Sequence, residues 1–176
     1  MELNKFSLKE IERSILVEYA TKDDFDFFYG IKCESSNIYW TGHDRKPDYL
    51  NLKLWFENKL NNSKRKIFII YFKNEKVGYI YLDILENKQI EIGGLAISEN
   101  FQGKKIGTIT LKKISEMVVE KYPAHIFFGW WPDINKNSIK MAKLNNFYPT
   151  NETKPYYWPL DDKIILTRKY IYKQTE

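Results

Sequence analysis

Three runs of strand-forming residues, set almost end to end, constrain this chain more than any other feature. Ile67 to Phe72 (IFIIYF), Val77 to Leu85 (VGYIYLDIL) and Gln89 to Ser98 (QIEIGGLAIS) are rich in β-branched and aromatic residues. The polar turns Lys73-Asn74-Glu75 and Glu86-Asn87-Lys88 separate them. Connections that short join antiparallel neighbours and leave no room for a crossover helix, so the centre of the fold reads as an antiparallel meander.

The flanks carry a different period. Ile15 to Thr21 (ILVEYAT) is a short apolar run of strand type, and Thr21 with Asp24 has the form of a capping box. That predicts a helix over about Asp23 to Glu34 with Phe25, Phe28 and Tyr29 on one face. Ser35 to Lys46 reads as a loop, and Pro47 suits the first turn of a second helix, in which Tyr49, Leu52, Phe56 and Leu60 share a face. After the meander, Leu111, Ile114, Val118 and Tyr122 mark a long amphipathic helix that Pro123 ends. His125 to Trp131 then reads as a buried strand. Asn135 to Asn145 reads as a helix with Ile139, Ala142 and Leu144 inward, and Asp162 to Tyr170 as one closing strand. The order of elements predicts a mixed α/β or α+β sheet domain and excludes a doubly wound one.

The chain has 176 residues, within the ~100 to 200 of one domain, and no linker or repeat divides it. A single domain over 1–176, with its core at about 15–170, is the expectation. One cysteine, Cys33, excludes an intramolecular disulfide and points to a reducing compartment. With only His43 and His125 beside it, a zinc cluster is not expected, and no metal is. The opening MELNKFSLKEIERS lacks the apolar stretch of a secretory signal, and no run is long and apolar enough for a membrane helix. A cytoplasmic location without membrane partners is expected. The net charge of +5 comes almost wholly from lysine, with arginine only at Arg13, Arg45, Arg65 and Arg168. Base reading and bidentate phosphate clamps favour arginine, so nucleic acid is not expected as a partner.

Chemistry enters at Gln102-Gly103-Lys104-Lys105-Ile106-Gly107-Thr108, between a strand and the first turn of a helix. A helix N-terminus offers unpaired N–H groups and the positive end of its dipole, and glycines let backbone approach an anion closely. A phosphate or pyrophosphate is the expected guest, with Lys104 and Lys105 adding charge. A structural turn accounts for two glycines equally well. The patterns of nucleotide-triphosphate and dinucleotide loops are both missing.

In this context the chain resembles the GNAT family of acyl-CoA-dependent N-acetyltransferases, whose signature Q/R-x-x-G-x-G/A lies between the fourth strand and the third helix. Gln102 and Gly107 within FQGKKIG match it, and Lys105 stands where the family has its first motif glycine. Asn135 and Ser138 in NKNSIKMAKLNNF fit the spacing of the segment that contacts the CoA arm, with Asn146 replacing a glycine. The resemblance covers about Ile15 to Tyr170. It implies a central mixed, largely antiparallel sheet of about six to seven strands flanked by about four helices, closest in its fourth-helix pattern to ribosomal-protein-type N-acetyltransferases.

The resemblance further implies direct transfer of an acetyl group from acetyl-CoA, the co-substrate, to an amine. Backbone amides around Leu95, Ala96 and Ile97 would polarise the thioester carbonyl, with Gly93-Gly94 easing a bulge just upstream. Glu91 matches the position of a catalytic glutamate in histone-type members; a glutamate on a strand also simply faces solvent or pairs with a lysine such as Lys88. The tyrosine that many relatives carry in the fourth helix is Ala142 here, which leaves Tyr148 and Tyr157 as substitutes for the general acid. Cys33 is not expected to act as a nucleophile. Tyr39-Trp40, Trp130-Trp131 and Tyr156-Tyr157-Trp158 are aromatic pairs and triplets suited either to a cleft wall or to the core, with His43, Asp44 and Arg45 as polar groups nearby. The favoured acceptor is the primary amine of a small molecule: an amino sugar, sugar nucleotide, aminoglycoside or polyamine. A protein N-terminus is the alternative, and a non-catalytic CoA-binding domain a third. The expected oligomeric state is a monomer or homodimer.

Overall fold

The computed structural model describes residues 8–174. Among them seven strands form one sheet in the order β1-β2-β3-β4-β5-β7-β6. The strands are β1 (Ile15–Tyr19), β2 (Arg65–Phe72), β3 (Glu75–Leu85), β4 (Gln89–Ile97), β5 (Ile126–Pro132), β6 (Phe147–Trp158) and β7 (Lys163–Tyr172). The helices are α1 (Leu8–Arg13), α2 (Phe25–Lys32), α3 (Ser35–Trp40), α4 (Tyr49–Leu60), α5 (Ile106–Lys121) and α6 (Lys136–Leu144). Every pairing is antiparallel except β4 with β5, which α5 connects as a crossover. The meander is β2-β3-β4.

Helices cover both faces of the sheet. On one, α5 and α6 bury Ile106, Leu111, Ile114, Val118 and Ala142 against Ile70, Ile80, Leu82, Phe127 and Phe147. On the other, Phe25, Phe28 and Ile31 of α2 and Phe56 of α4 pack on Ile67, Ile69, Tyr79 and Ala96. Alternation along each strand feeds the two layers. The Thr21 capping box forms as read: the Asp24 carboxylate accepts from both the N–H and the hydroxyl of Thr21, at 2.7 and 2.9 Å. None of the helices of the described residues is long and apolar enough to cross a membrane.

Three expectations need correction. Ser35 to Lys46 is not all loop: its first half is α3, whose buried Asn37 donates to the Ile31 carbonyl at 3.0 Å and closes the end of α2. The tail forms two strands rather than one, and with α1 and α3 the described residues hold six helices and seven strands. β6 escapes a sequence reading because it is an edge strand with two prolines and little buried surface, conditions an edge tolerates and a central strand does not. Leu144, read as inward, is 64% exposed, because it lies at the last turn of α6, off the stripe of Ile139 and Ala142.

Candidate active site

β4 and β5 pair only from Gln89 with Ile126 to Ile92 with Gly129, and beyond Ile92 β4 has no partner on that side. The divergence follows from a bulge: Tyr81 opposes Gly94 while Leu82 opposes Ile92, leaving Gly93 as the extra residue. The ring of Tyr81 lies across both glycines, and a Cβ on Gly94 would sit 2.7 Å from it. The edge opened in this way presents backbone groups of Leu95 and Ile97. The Ile97 carbonyl accepts from Gln102 Nε2 at 2.9 Å, and the same amide donates to Ser36 Oγ at 3.0 Å. Gln102 thus ties the loop to β4 and to the start of α3.

The loop then turns through two left-handed residues, Gly103 at φ +74° and Lys105 at φ +63°. Lys105 adopts the conformation its glycine counterpart would supply freely, at a cost of roughly 1 kcal/mol. Among the described residues no side chain caps α5, and its ladder begins with the Ile109 N–H donating to the Lys105 carbonyl at 3.0 Å. The N–H groups of Ile106, Gly107 and Thr108 precede that ladder, at the positive end of a 16-residue helix. Lys104 turns back, its Nζ 2.5 Å from the Asn100 carbonyl and over the Phe101 ring, whereas Lys105 is exposed. α6 braces this turn. Asn145 donates to the Thr108 carbonyl at 3.1 Å, and a Cβ on Gly107 would meet Met141 Sδ at 3.3 Å. Asn135 is buried and caps α6 by accepting from the Ser138 N–H at 3.0 Å.

On the α2–α4 face, Glu91 is in register with Asp83, whose carboxylate Arg65 grips through two N–H groups. The guanidinium lies 5.1 Å from the Trp55 ring centre and 4.7 Å from that of Tyr81. Burial pushes the Glu91 carboxyl above its ordinary pKa; Lys154, Arg65 and Lys169 pull it down, and the Asp83 charge reinforces the rise. Trp130 lies on this face with Lys154 Nζ 4.0 Å from its ring centre. Sequence reading missed Arg65 and Asp83, although they stand equidistant from Asn74 on the two arms of one hairpin, a spacing that brings opposite charges together.

A cavity of about 400 Å³ opens on the same face, lined by Lys32, Thr41, His43, Pro47, Asp48, Asn51, Leu52 and Trp55. Of the aromatic residues read as a cleft wall, Tyr39 donates to Asp161 at 2.7 Å and meets Trp40 and Trp158 edge-on. Trp40 is 39% exposed. Trp131 is a correction. It is 8% exposed on the opposite face, packed edge-on against Phe147 and Tyr170 in the α5–α6 core, because neighbours in a strand point to opposite sides. Tyr148 does not meet Glu91 either. The register runs Glu91, Phe128, Ile171, Tyr148 across three strand spacings, roughly 14 Å at ~4.8 Å each. Tyr157 donates to Asp162 at the far end of the β6–β7 hairpin.

A sheet opened between β4 and β5, with an uncapped helix N-terminus at the mouth and a carboxylate on the wall, defines an acyl-CoA-dependent acyltransferase scaffold. A family model, "Acetyltransferase (GNAT) family", matches residues 24–147. The chain belongs to that family of N-acetyltransferase enzymes. Similar solved structures include spermidine N-acetyltransferase from Vibrio cholerae in complex with CoA and spermine, at TM-score 0.80 and 9% identity, covering 90% of this chain and 95% of that one. The ribosomal-protein-alanine N-acetyltransferase from Brucella melitensis superposes at TM-score 0.75 and 18% identity, covering 90% and 99%. An acetyltransferase from Salmonella typhimurium that modifies the N-terminal serine of a large-subunit ribosomal protein gives TM-score 0.76 and 16% identity, covering 92% and 96%. These likenesses establish the shared fold.

Proposed function

We propose that this chain transfers an acetyl group from acetyl-CoA directly to the primary amine of a small molecule. The observation that carries the reading is the pairing of two backbone surfaces: the free edge of β4 beyond Ile92 and the uncapped turn at Lys105–Thr108. The first suits the pantetheine arm and thioester, the second a pyrophosphate. Bound acetyl-CoA supplies an activated thioester whose acetyl group moves to nitrogen with release of the CoA thiol.

The residues of the chain do the rest. The N–H groups of the β4 edge at Leu95 and Ile97 polarise the acetyl carbonyl, held rigidly by pairing with β3 on their other side. Glu91 accepts the proton that the amine loses as its C–N bond forms, and a carboxyl raised by burial is better matched to that task near neutral pH. Gln102, Gly103, Ile106, Gly107 and Thr108 hold the pyrophosphate by backbone, with Lys104 and Lys105 adding positive potential. Asn135 and Ser138 set the turn of α6 beside the arm. The cavity lined by the end of α2, the α3–α4 loop and α4, with Trp130 of β5 and Tyr39 and Trp40 of α3 as further aromatic walls, receives the acceptor. Its volume lies at the lower end of the ~300 to 1,000 Å³ usual for small-molecule sites, which supports a compact amine over a polypeptide.

Calorimetry tests the cofactor half first, comparing acetyl-CoA with pantetheine, which lacks the pyrophosphate. Micromolar binding that falls at least about tenfold without the pyrophosphate is expected. Equal affinity for both ligands, or none for acetyl-CoA, overturns the reading.

A further inference from the structure

The α2–α4 cavity contains a cation without a counter-ion. Lys32 ends α2, and its Nζ lies 5.3 Å from the Phe28 ring centre and 5.4 Å from that of Tyr79. Among the described residues no carboxylate lies within ion-pair distance of it. The acids nearby are committed elsewhere. Asp48, on the same cavity wall, accepts from the Asn51 N–H at 2.8 Å and caps α4, and Asp83 is held by Arg65. Burial, with the Arg65 charge behind it, pushes Lys32 down to about 8. Even a partly buried ammonium is costly unless an anion or hydrogen-bond acceptors meet it, and aromatic faces compensate only in part.

The position of this charge relates it to the reaction. Tyr79, beneath Lys32, is the register partner of Ala96, and Tyr81, whose ring meets Trp55 of the cavity wall and lies over Gly94, belongs to the same strand, so the cavity lies over β3, one strand from the β4 segment that would hold the acetyl group. Resting on the acetyltransferase reading, we propose that Lys32 and the cavity it lines form an anion subsite. The acceptor is then a small amine that also carries a carboxylate or phosphate, with its nitrogen at β4 and its anionic group at Lys32. His43, which also lines the cavity, offers a further donor. The arrangement disfavours a polyamine, whose remote ammonium groups would meet Lys32 and Arg65.

Two measurements test this. In the first, thiol release from acetyl-CoA is followed with acceptors matched except for the anion: glucosamine 6-phosphate against glucosamine, an α-amino acid against its decarboxylated amine, and spermidine as the polycation. Wild type should favour the anionic member by about tenfold or more in kcat/KM, mainly through KM, and Lys32→Met should bring the ratio toward one while Lys32→Arg keeps most of it. The two pairs separate phosphate from carboxylate. A preference for the neutral amines or spermidine, or a ratio unmoved in Lys32→Met, overturns the proposal. The second needs no turnover: Lys32 is reductively dimethylated with ¹³C and titrated by NMR in full-length protein, with and without inorganic phosphate. Phosphate should raise its titration midpoint toward the ordinary lysine value, and an unmoved midpoint overturns the subsite even where acetyl-CoA binds. Absence of acetyl-CoA binding, with the phosphate effect intact, overturns instead the acetyltransferase reading.

Discussion

The two halves of the proposed site, one for the cofactor and one for the acceptor, are made of different material. The cofactor half, from β4 through the loop to α5, is a surface of main chain: a strand edge, two left-handed residues and the first N–H groups of a helix. The acceptor half, beneath α2 and α4, is a surface of side chains, in which Lys32, Trp55, Arg65, Tyr81, Asp83 and Glu91 shape and charge one face of the sheet. A surface built from backbone keeps its course through a change of residue so long as φ and ψ survive, and Lys105 holds φ +63°, a conformation that glycine takes more readily. A site built from side chains changes its specificity with each substitution. One scaffold can keep its cofactor while its acceptors diverge.

The largest test of that contrast is Gly107→Trp. A side chain projecting from the first turn of α5 should block the approach of the pyrophosphate and displace Met141, with loss of acetyl-CoA affinity on the order of a hundredfold or more by calorimetry. Unchanged affinity would remove the loop from the cofactor half. Next comes Glu91→Gln, expected to lower kcat by about 10² to 10⁴-fold while the acetyl-CoA dissociation constant stays within about twofold. The wild-type rate should rise with pH through a midpoint above that of an ordinary glutamate, because burial holds the proton on Glu91 and only the ionised form accepts one. Loss of that rising limb in Glu91→Gln is the signature; a profile identical to wild type assigns the base elsewhere.

Lys32→Met sharpens the acceptor side. Removing an unpaired, partly buried cation should stabilise the protein by about 1 to 2 kcal/mol at pH 7, read as a higher Tm. The sign follows from the titration. With its folded pKa depressed to about 8 against an ordinary 10.5, Lys32 weighs fully against folding below about pH 8 and is relieved as pH rises toward 10.5. The stabilisation by the variant should therefore shrink over that interval, and a gain independent of pH would show that lost packing or solvation dominates. The smallest effect belongs to Lys105→Gly. Relief of the left-handed strain, offset by the entropy of glycine in the unfolded chain, should shift stability by no more than about 1 kcal/mol, with acetyl-CoA affinity within about threefold of wild type. A large loss of affinity would show that the Lys105 side chain, and not its backbone, serves the cofactor.

The same division explains what a reader of the sequence sees. The meander was legible because β2 and β3 are buried along their middles and β4 pairs beside them, so each carries an apolar run, and their two turns are short and polar. The strand-to-helix loop was legible because helix entry after a strand leaves a local signature, Gln102 to Thr108. β6 was not, since an exposed edge strand needs no apolar alternation and its prolines are harmless there. α3 was hidden because its hold on α2 and on the loop runs through single polar groups: Glu34 accepts from Ser98 Oγ at 2.7 Å and Glu99 from the Ser36 N–H at 2.8 Å, across more than sixty residues of chain.

By itself, then, the sequence determined the central sheet, the crossover helix and the main-chain cradle at its start, all of which depend on residues near one another in the chain and on the periods of helix and strand. Only the tertiary structure decided which aromatic residues face the candidate site and which enter the core, separating Trp130 from Trp131 by the face of one strand and setting Tyr148 three strands from Glu91. It likewise placed Lys32 over Tyr79 and Arg65 against Asp83. Those relations arise from register and from the stacking of α2 and α4 on the sheet, where long-range packing overrides any local pattern.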